Sequence, residues 1–115
     1  MLRGEVHLVD LEPARGSEAN KQRPAVIVSN DAANATASRL ERGVITVVPL
    51  TSNTQRVYPF QVLLPAAACG LARTSKAQAE QVRSVAFERI GSRIGRVPAP
   101  LMAKLDEALR LHLAL

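Results

Sequence analysis

Polar and apolar positions alternate from Gly4 to Asp10, with Val6 and Leu8 on one side and Glu5, His7 and Val9 on the other, which predicts a half-buried strand. His7 reads as a surface residue of that strand. Residues 11 to 22 then turn polar around Pro13, Gly16 and Asn20. A loop of about 12 residues in so small a chain is more often functional than idle. The run AVIVS that follows predicts a buried strand, and the Ala- and Asn-rich stretch from Asp31 to Arg39 a short helix or turn. Residues 43 to 51, GVITVVPLT, are apolar and β-branched, the mark of a central strand that Pro49 and the polar SNTQR bend or end. Residues 58 to 64 return as a strand, expected to form a curved antiparallel hairpin with it. Tyr58 and Phe60 are expected to fix the YPF turn and fill the core.

From Pro98 to Leu115 the period becomes helical. Pro98 and Pro100 suit a first turn; Leu101, Leu105, Ala108, Leu109 and Leu113 share one face, and Asp106 and Arg110 are spaced to pair. His112 falls within the apolar stripe, where a hydrogen-bonded core or interface role outweighs a catalytic one. Leu111 and Leu115 lie off the stripe, so the apolar surface wraps further than one core face needs and hints at a homodimer. Five or six short strands with one long helix and no βαβ alternation imply a mostly β fold with a C-terminal helix, a small antiparallel barrel.

The length of 115 residues fits one domain, residues 1–115. Fifteen Lys and Arg against ten Asp and Glu give a net charge of +5, which favours an anionic partner such as nucleic acid or an acidic protein segment. The lone Cys69, in the apolar run AAACGLA, excludes an internal disulfide and reads as a buried, inert thiol in a reducing compartment. No signal-peptide pattern opens the chain, and no apolar run approaches the ~18 residues of a membrane helix, so a cytoplasmic, soluble protein is expected. Glu5 and His7 alone make no metal signature, and no cofactor motif stands out.

The segment GSEANKQRPAVIVSN, from Gly16 to Asn30, is the most informative for chemistry. Pro24 cannot donate to a ladder, so the Arg23-Pro24 step belongs at a strand start or edge, with a permanent cation at the rim of a groove. Arg23 beside a loop carrying Ser17, Glu18, Asn20, Lys21 and Gln22 suits a phosphate, because the guanidinium fork matches phosphate oxygens bidentately. Spacing alone leaves open the plainer alternative of a solvated strand-end arginine.

Four motifs in order, the GSE loop with RP, the LTS step after a long strand, the YPF turn and the acid-Gln-x-Arg-Ser run, resemble the MazF/PemK (Kid) toxins, endoribonucleases of type II toxin-antitoxin modules. The resemblance runs from Arg3 to the C-terminus. It implies an SH3-like antiparallel barrel with a C-terminal helix, a homodimer, and a MazE-like antitoxin with an acidic C-terminal segment. It also implies sequence-specific cleavage of single-stranded RNA without metal or cofactor, leaving 2′,3′-cyclic phosphate and 5′-hydroxyl ends and arresting translation and growth.

Such cleavage needs a proton acceptor, a donor for the leaving oxygen and positive charge on the phosphorane-like oxygens. Arg23 supplies the charge, and Thr51 matches the family's threonine beside the scissile phosphate. A guanidinium holds its proton too tightly to act as the base, which leaves Glu18 in the loop and Glu80 in AEQVRS. Kid-like members carry an arginine two residues before that acid; Gln78 stands here instead, which shifts weight to Arg23 and Thr51. Ser17, Asn20, Lys21, Ser52, Asn53, Gln55, Arg56, Gln81 and Arg83 are the candidate RNA-binding groups, on loops where splayed bases can be read by their edges. With one Tyr, two Phe and no Trp, a stacking platform is not expected. The same scarcity weighs against a CcdB-like gyrase poison, whose family carries a tryptophan near its C-terminus. A basic barrel that binds RNA or an acidic segment without cutting stays open.

Overall fold

The computed structural model describes residues 1–13, 15–19 and 21–115. Two apolar clusters lie on opposite faces of one curled antiparallel sheet, so β1 (Glu5–Asp10) is covered on both sides. Val6 belongs to the cluster under the C-terminal helix, while Val9 joins that under the first helix and the loop at Leu11 and Ala19. Among the described residues the strand path runs β4 (Gln61–Leu64), β5 (Ser75–Gln78), β3 (Val44–Thr51), β2 (Gln22–Ile27), β1, β7 (Ile90–Arg96). β6 (Arg83–Ala86) also pairs with β3. The path is open: the fold is mostly β with a C-terminal helix, and backbone hydrogen bonds do not close it into a ring.

Packing brings its ends together instead. A Cβ on Gly95 of β7 would lie 2.4 Å from the Cys69 carbonyl oxygen, so glycine lets β7 press against the short helix α2 (Ala66–Cys69) that follows β4. The expected hairpin of β3 with residues 58–64 does not form. β4 turns through Pro65 and α2 to pair with β5, and β5 inserts beside β3. A 3-10 turn at Ala79–Gln81 separates β5 from β6, which are two lengths of one interrupted strand along β3.

Helix α1 (Asp31–Leu40) starts where Asn30 accepts from the Ala33 amide and stops at Glu41, φ 51. Helix α3 (Ala99–Leu113) has Pro98 at its cap and Pro100 in its first turn. Leu105 and Ala108 are buried, Leu101 and Leu109 half-buried. Leu113 at 49%, Leu111 at 58% and Leu115 at 86% stay exposed, and so does His112, which is not a core residue of this chain. Asp106 pairs not with Arg110 but with Arg3 across the fold, at 2.6 Å, while Arg110 takes Glu107 at 2.8 Å. No helix of the described residues is long and apolar enough to cross a membrane.

Candidate active site

Arg23 reaches its place through a tied loop. Lys21 adopts φ 64, its amide donating to Glu12 Oε1 at 2.7 Å and its carbonyl accepting from the Leu11 amide at 3.0 Å. Arg89 Nη1 donates to the carbonyls of Asp10 and Glu12. Gln81, a candidate RNA-binding residue, clamps this loop: Oε1 accepts from the Ala19 amide at 3.1 Å and Nε2 donates to the Ser17 carbonyl at 2.9 Å.

β2 then enters the sheet at Gln22, as the Arg23-Pro24 step requires. It pairs with β1 from Gln22 to Val26 but with β3 only from Ala25, opposite Pro49. Beyond Pro49, β3 leaves β2 and continues against β5, where Leu50 faces Ala77 and Thr51 faces Lys76. The two strands part between Arg23 and Thr51, which stand opposite each other by register. A cavity of about 320 Å³ opens there, lined by Arg23, Pro24, Leu50, Thr51 and Ser52, with Leu71, Ala72 and Arg73 from the α2–β5 connection, Ser75 from the start of β5 and Ile94 from β7.

Neither candidate base lines this cavity. Glu18 is exposed in the loop, Oε1 accepting from the Arg15 amide at 3.0 Å. Glu80 lies past the far end of β5 from Ser75, with Oε2 accepting from Gln61 Nε2 at 2.7 Å. Its Oε1, Gln78 Oε1 and Arg83 Nη1 are buried with no hydrogen-bond partner among the described residues. Ser17 and Lys21 are exposed, and Asn20 lies outside the described residues.

Asn53, Gln55 and Arg56 sit on the exposed 52–60 loop, with the Asn53 amide donating to Thr51 Oγ1 at 3.3 Å. Tyr58 and Phe60 stack on each other at 5.4 Å, and Tyr58 is exposed, so that pair fixes the turn without filling the core. Lys76, 8% exposed, ties the loop to β5 by donating to the Arg56 carbonyl at 2.6 Å. Lys76, Arg73 and Ser75 escaped the sequence reading. Their one signal was the run RTSK, whose relation to Thr51 only the β3–β5 register reveals.

His7 also differs from expectation: it is 8% exposed, with Nε2 2.9 Å from Glu5 Oε1 and Nδ1 2.9 Å from the Gly91 carbonyl. Burial pushes the Glu5 carboxyl up, but the His7 bond, the Leu2 backbone, Arg93 and the N-terminal charge outweigh it and hold the group below its ordinary value. Cys69 is buried as expected, and burial pushes its thiol up, away from reactivity.

Residues 2–113 match the family described as PemK-like, MazF-like toxin of type II toxin-antitoxin system. The chain is 69% identical over 115 residues to endoribonuclease MazF9 of Mycobacterium tuberculosis (strain ATCC 25618 / H37Rv), covering 100% of this chain and 98% of that protein. It is 34% identical over 114 residues to endoribonuclease EndoA of Bacillus subtilis (strain 168), covering 98% of this chain and 94% of that one. Among solved structures it resembles MazF from Deinococcus radiodurans, with TM-score 0.83 and 26% identity over 100% of this chain and 97% of that one. It also resembles an endoribonuclease in complex with its cognate antitoxin from Mycobacterial species, with TM-score 0.75 and 27% identity over 100% of this chain and 96% of that one.

Proposed function

The chain belongs to the PemK-like, MazF-like toxin family of type II toxin-antitoxin systems, and from that premise we propose that it is the endoribonuclease of such a module, acting on single-stranded RNA in the cytoplasm. The observation that carries the reading is the wedge between β2 and β3, with Arg23 on one side and Thr51 on the other. A phosphate seated there receives a guanidinium fork and a hydroxyl from opposite directions. The 2′-hydroxyl attacks its own phosphate, Arg23 offsets the charge that develops on the equatorial oxygens, and Thr51 donates to the phosphate or the leaving 5′-oxygen. The products are a 2′,3′-cyclic phosphate and a 5′-hydroxyl. Glu18 is the preferred base, because it is exposed on the loop that leads into β2, whereas Glu80 has one carboxyl oxygen buried and the other held by Gln61.

Ser52 lines the wedge, and the exposed Lys21, Asn53, Gln55 and Arg56, on the loops that adjoin Arg23 and Thr51 in the chain, supply groups that hydrogen-bond to splayed bases. The exposed leucines at the end of α3 suit a homodimer, and the net charge of +5 suits an antitoxin with an acidic segment. The test is incubation of a long defined RNA with the protein in EDTA, followed by mapping of 5′ ends. Cuts at a recurrent sequence in single-stranded regions, with duplex of the same sequence spared, are expected. Strict dependence on magnesium would remove the metal-free mechanism.

A further inference from the structure

The floor and far wall of the wedge are not needed to hold a phosphate. Pro24, Leu50, Leu71, Ala72 and Ile94 are apolar, and together they give the cavity its volume of about 320 Å³, at the lower end of the range of small-ligand sites. Arg73, on the α2–β5 connection, also lines the space, and no carboxylate among the described residues does. The Arg73 side chain is exposed and makes no hydrogen bond or ion pair among the described residues. Its backbone, by contrast, is held. Ser75 Oγ donates to the Arg73 carbonyl at 3.1 Å, and Thr74 Oγ1 accepts from the Ala66 amide at 3.0 Å.

Resting on the ribonuclease reading above, we propose that this cavity receives the nucleobase next to the cleaved bond, and that Arg73 binds the phosphate on the far side of that base. The lining combines what one nucleotide offers: a cation and a hydroxyl at Arg23 and Thr51 for one phosphate, apolar side chains for a base, and a second cation at Arg73 for the next phosphate. No aromatic side chain lines the slot among the described residues, so the base is held by flat apolar contact and by the exposed Ser52 hydroxyl. An acidic side chain of a protein partner would satisfy the two arginines but leave the apolar floor unused, which favours the base. Arg73 is thus a binding and specificity residue, distinct from the catalytic pair.

The experiment uses the full chain and an RNA made uncleavable by a 2′-deoxy sugar at the mapped cut, with binding followed by fluorescence anisotropy across a salt series. Arg73→Ala should weaken binding about tenfold, the scale of one charge-assisted contact. It should also flatten the slope of log affinity against log salt by about 0.7, the share of one phosphate on a single strand. In cleavage the loss should appear in KM more than in kcat.

Ala72 is exposed, so Ala72→Trp plugs the slot without disturbing the core. It should weaken binding with the salt slope unchanged and alter base preference at one position beside the cut. Unchanged affinity and slope in Arg73→Ala, or an unchanged cleavage pattern and affinity in Ala72→Trp, would overturn the assignment. So would variants that lose an acidic peptide while keeping RNA. Failure of the wild type itself to cut any RNA would instead overturn the ribonuclease reading.

Discussion

Neither Pro24 nor Pro49 has an amide proton to donate, and the two stand where the β2–β3 ladder ends, so the gap that exposes Arg23 and Thr51 is written in the residues flanking it. Arg23→Ala should slow single-turnover cleavage by roughly a hundredfold or more, the scale for one preorganised electrostatic group. Thr51→Val keeps a β-branched strand residue and removes the hydroxyl; it should cost about tenfold, with Thr51→Ser close to wild type. Wild-type rates in Arg23→Ala or Thr51→Val would reduce those residues to strand formers.

Glu5 makes a second residue-scale prediction. Its folded carboxyl sits below the ordinary value, so the stability it contributes is present above the ordinary carboxylate range and disappears as pH falls through the lower folded value. Glu5→Gln should destabilise by about 1–2 kcal/mol at neutral pH. Thermal melts of the two proteins should converge in acid, and a constant gap would sink the argument. Arg23 stood out in the sequence because Pro24 marks a strand start, whereas Thr51 was singled out only by the family resemblance, since on its own it reads as an ordinary strand residue. The burial of His7 was not legible, because alternation of polar and apolar residues cannot show that both faces of β1 are covered.

Elements met their partners by routes that periodicity does not encode. The first four strands were readable from alternation and β-branched runs and α3 from helical spacing, and the Asp31–Arg39 stretch read as a short helix or turn, but β5, β6 and β7 were not located. The pairing of β4 with β5 was not readable, because it depends on α2 reversing the chain between them. The same reversal carries Leu71, Ala72 and Arg73 to the wedge, so that side of the cavity was invisible until the topology was known. Asp106 illustrates the point in a helix: the i,i+4 partner was available, yet Arg3 reaches it from the N-terminus while also donating to the Val28 carbonyl. Gly95 is where this arrangement is most exposed to change. A Cβ there would meet the Cys69 carbonyl at 2.4 Å and Leu71 Cδ2 at 3.0 Å, so Gly95→Ala must push the α2 turn off β7. The expected cost is about 1–3 kcal/mol, read as a lowered Tm. Cleavage should weaken with it, since Leu71 and Ile94 form the cavity wall; an unchanged Tm would mean that the sheet ends are not packed as described.

At the scale of the whole molecule, charge is the property that RNA and an antitoxin would share. A net +5 domain with Arg23 and Arg73 lining one wedge attracts any polyanion, and a flexible acidic segment can cover such a surface cation by cation. Ordering that segment costs entropy, which only a large covered surface offsets. An inhibitor of this kind therefore gains most by lying along the groove that RNA uses. Inhibition by the cognate antitoxin should be competitive with RNA, and both ligands should weaken as salt rises from about 50 to 200 mM, because both depend on screened charges. The measurement is displacement of a labelled uncleavable RNA by the antitoxin, repeated in the reverse direction. Simultaneous binding of both with unchanged affinities would separate the two surfaces, and inhibition would then have to reach the wedge from elsewhere, with the exposed leucines at the end of α3 the next surface to mutate.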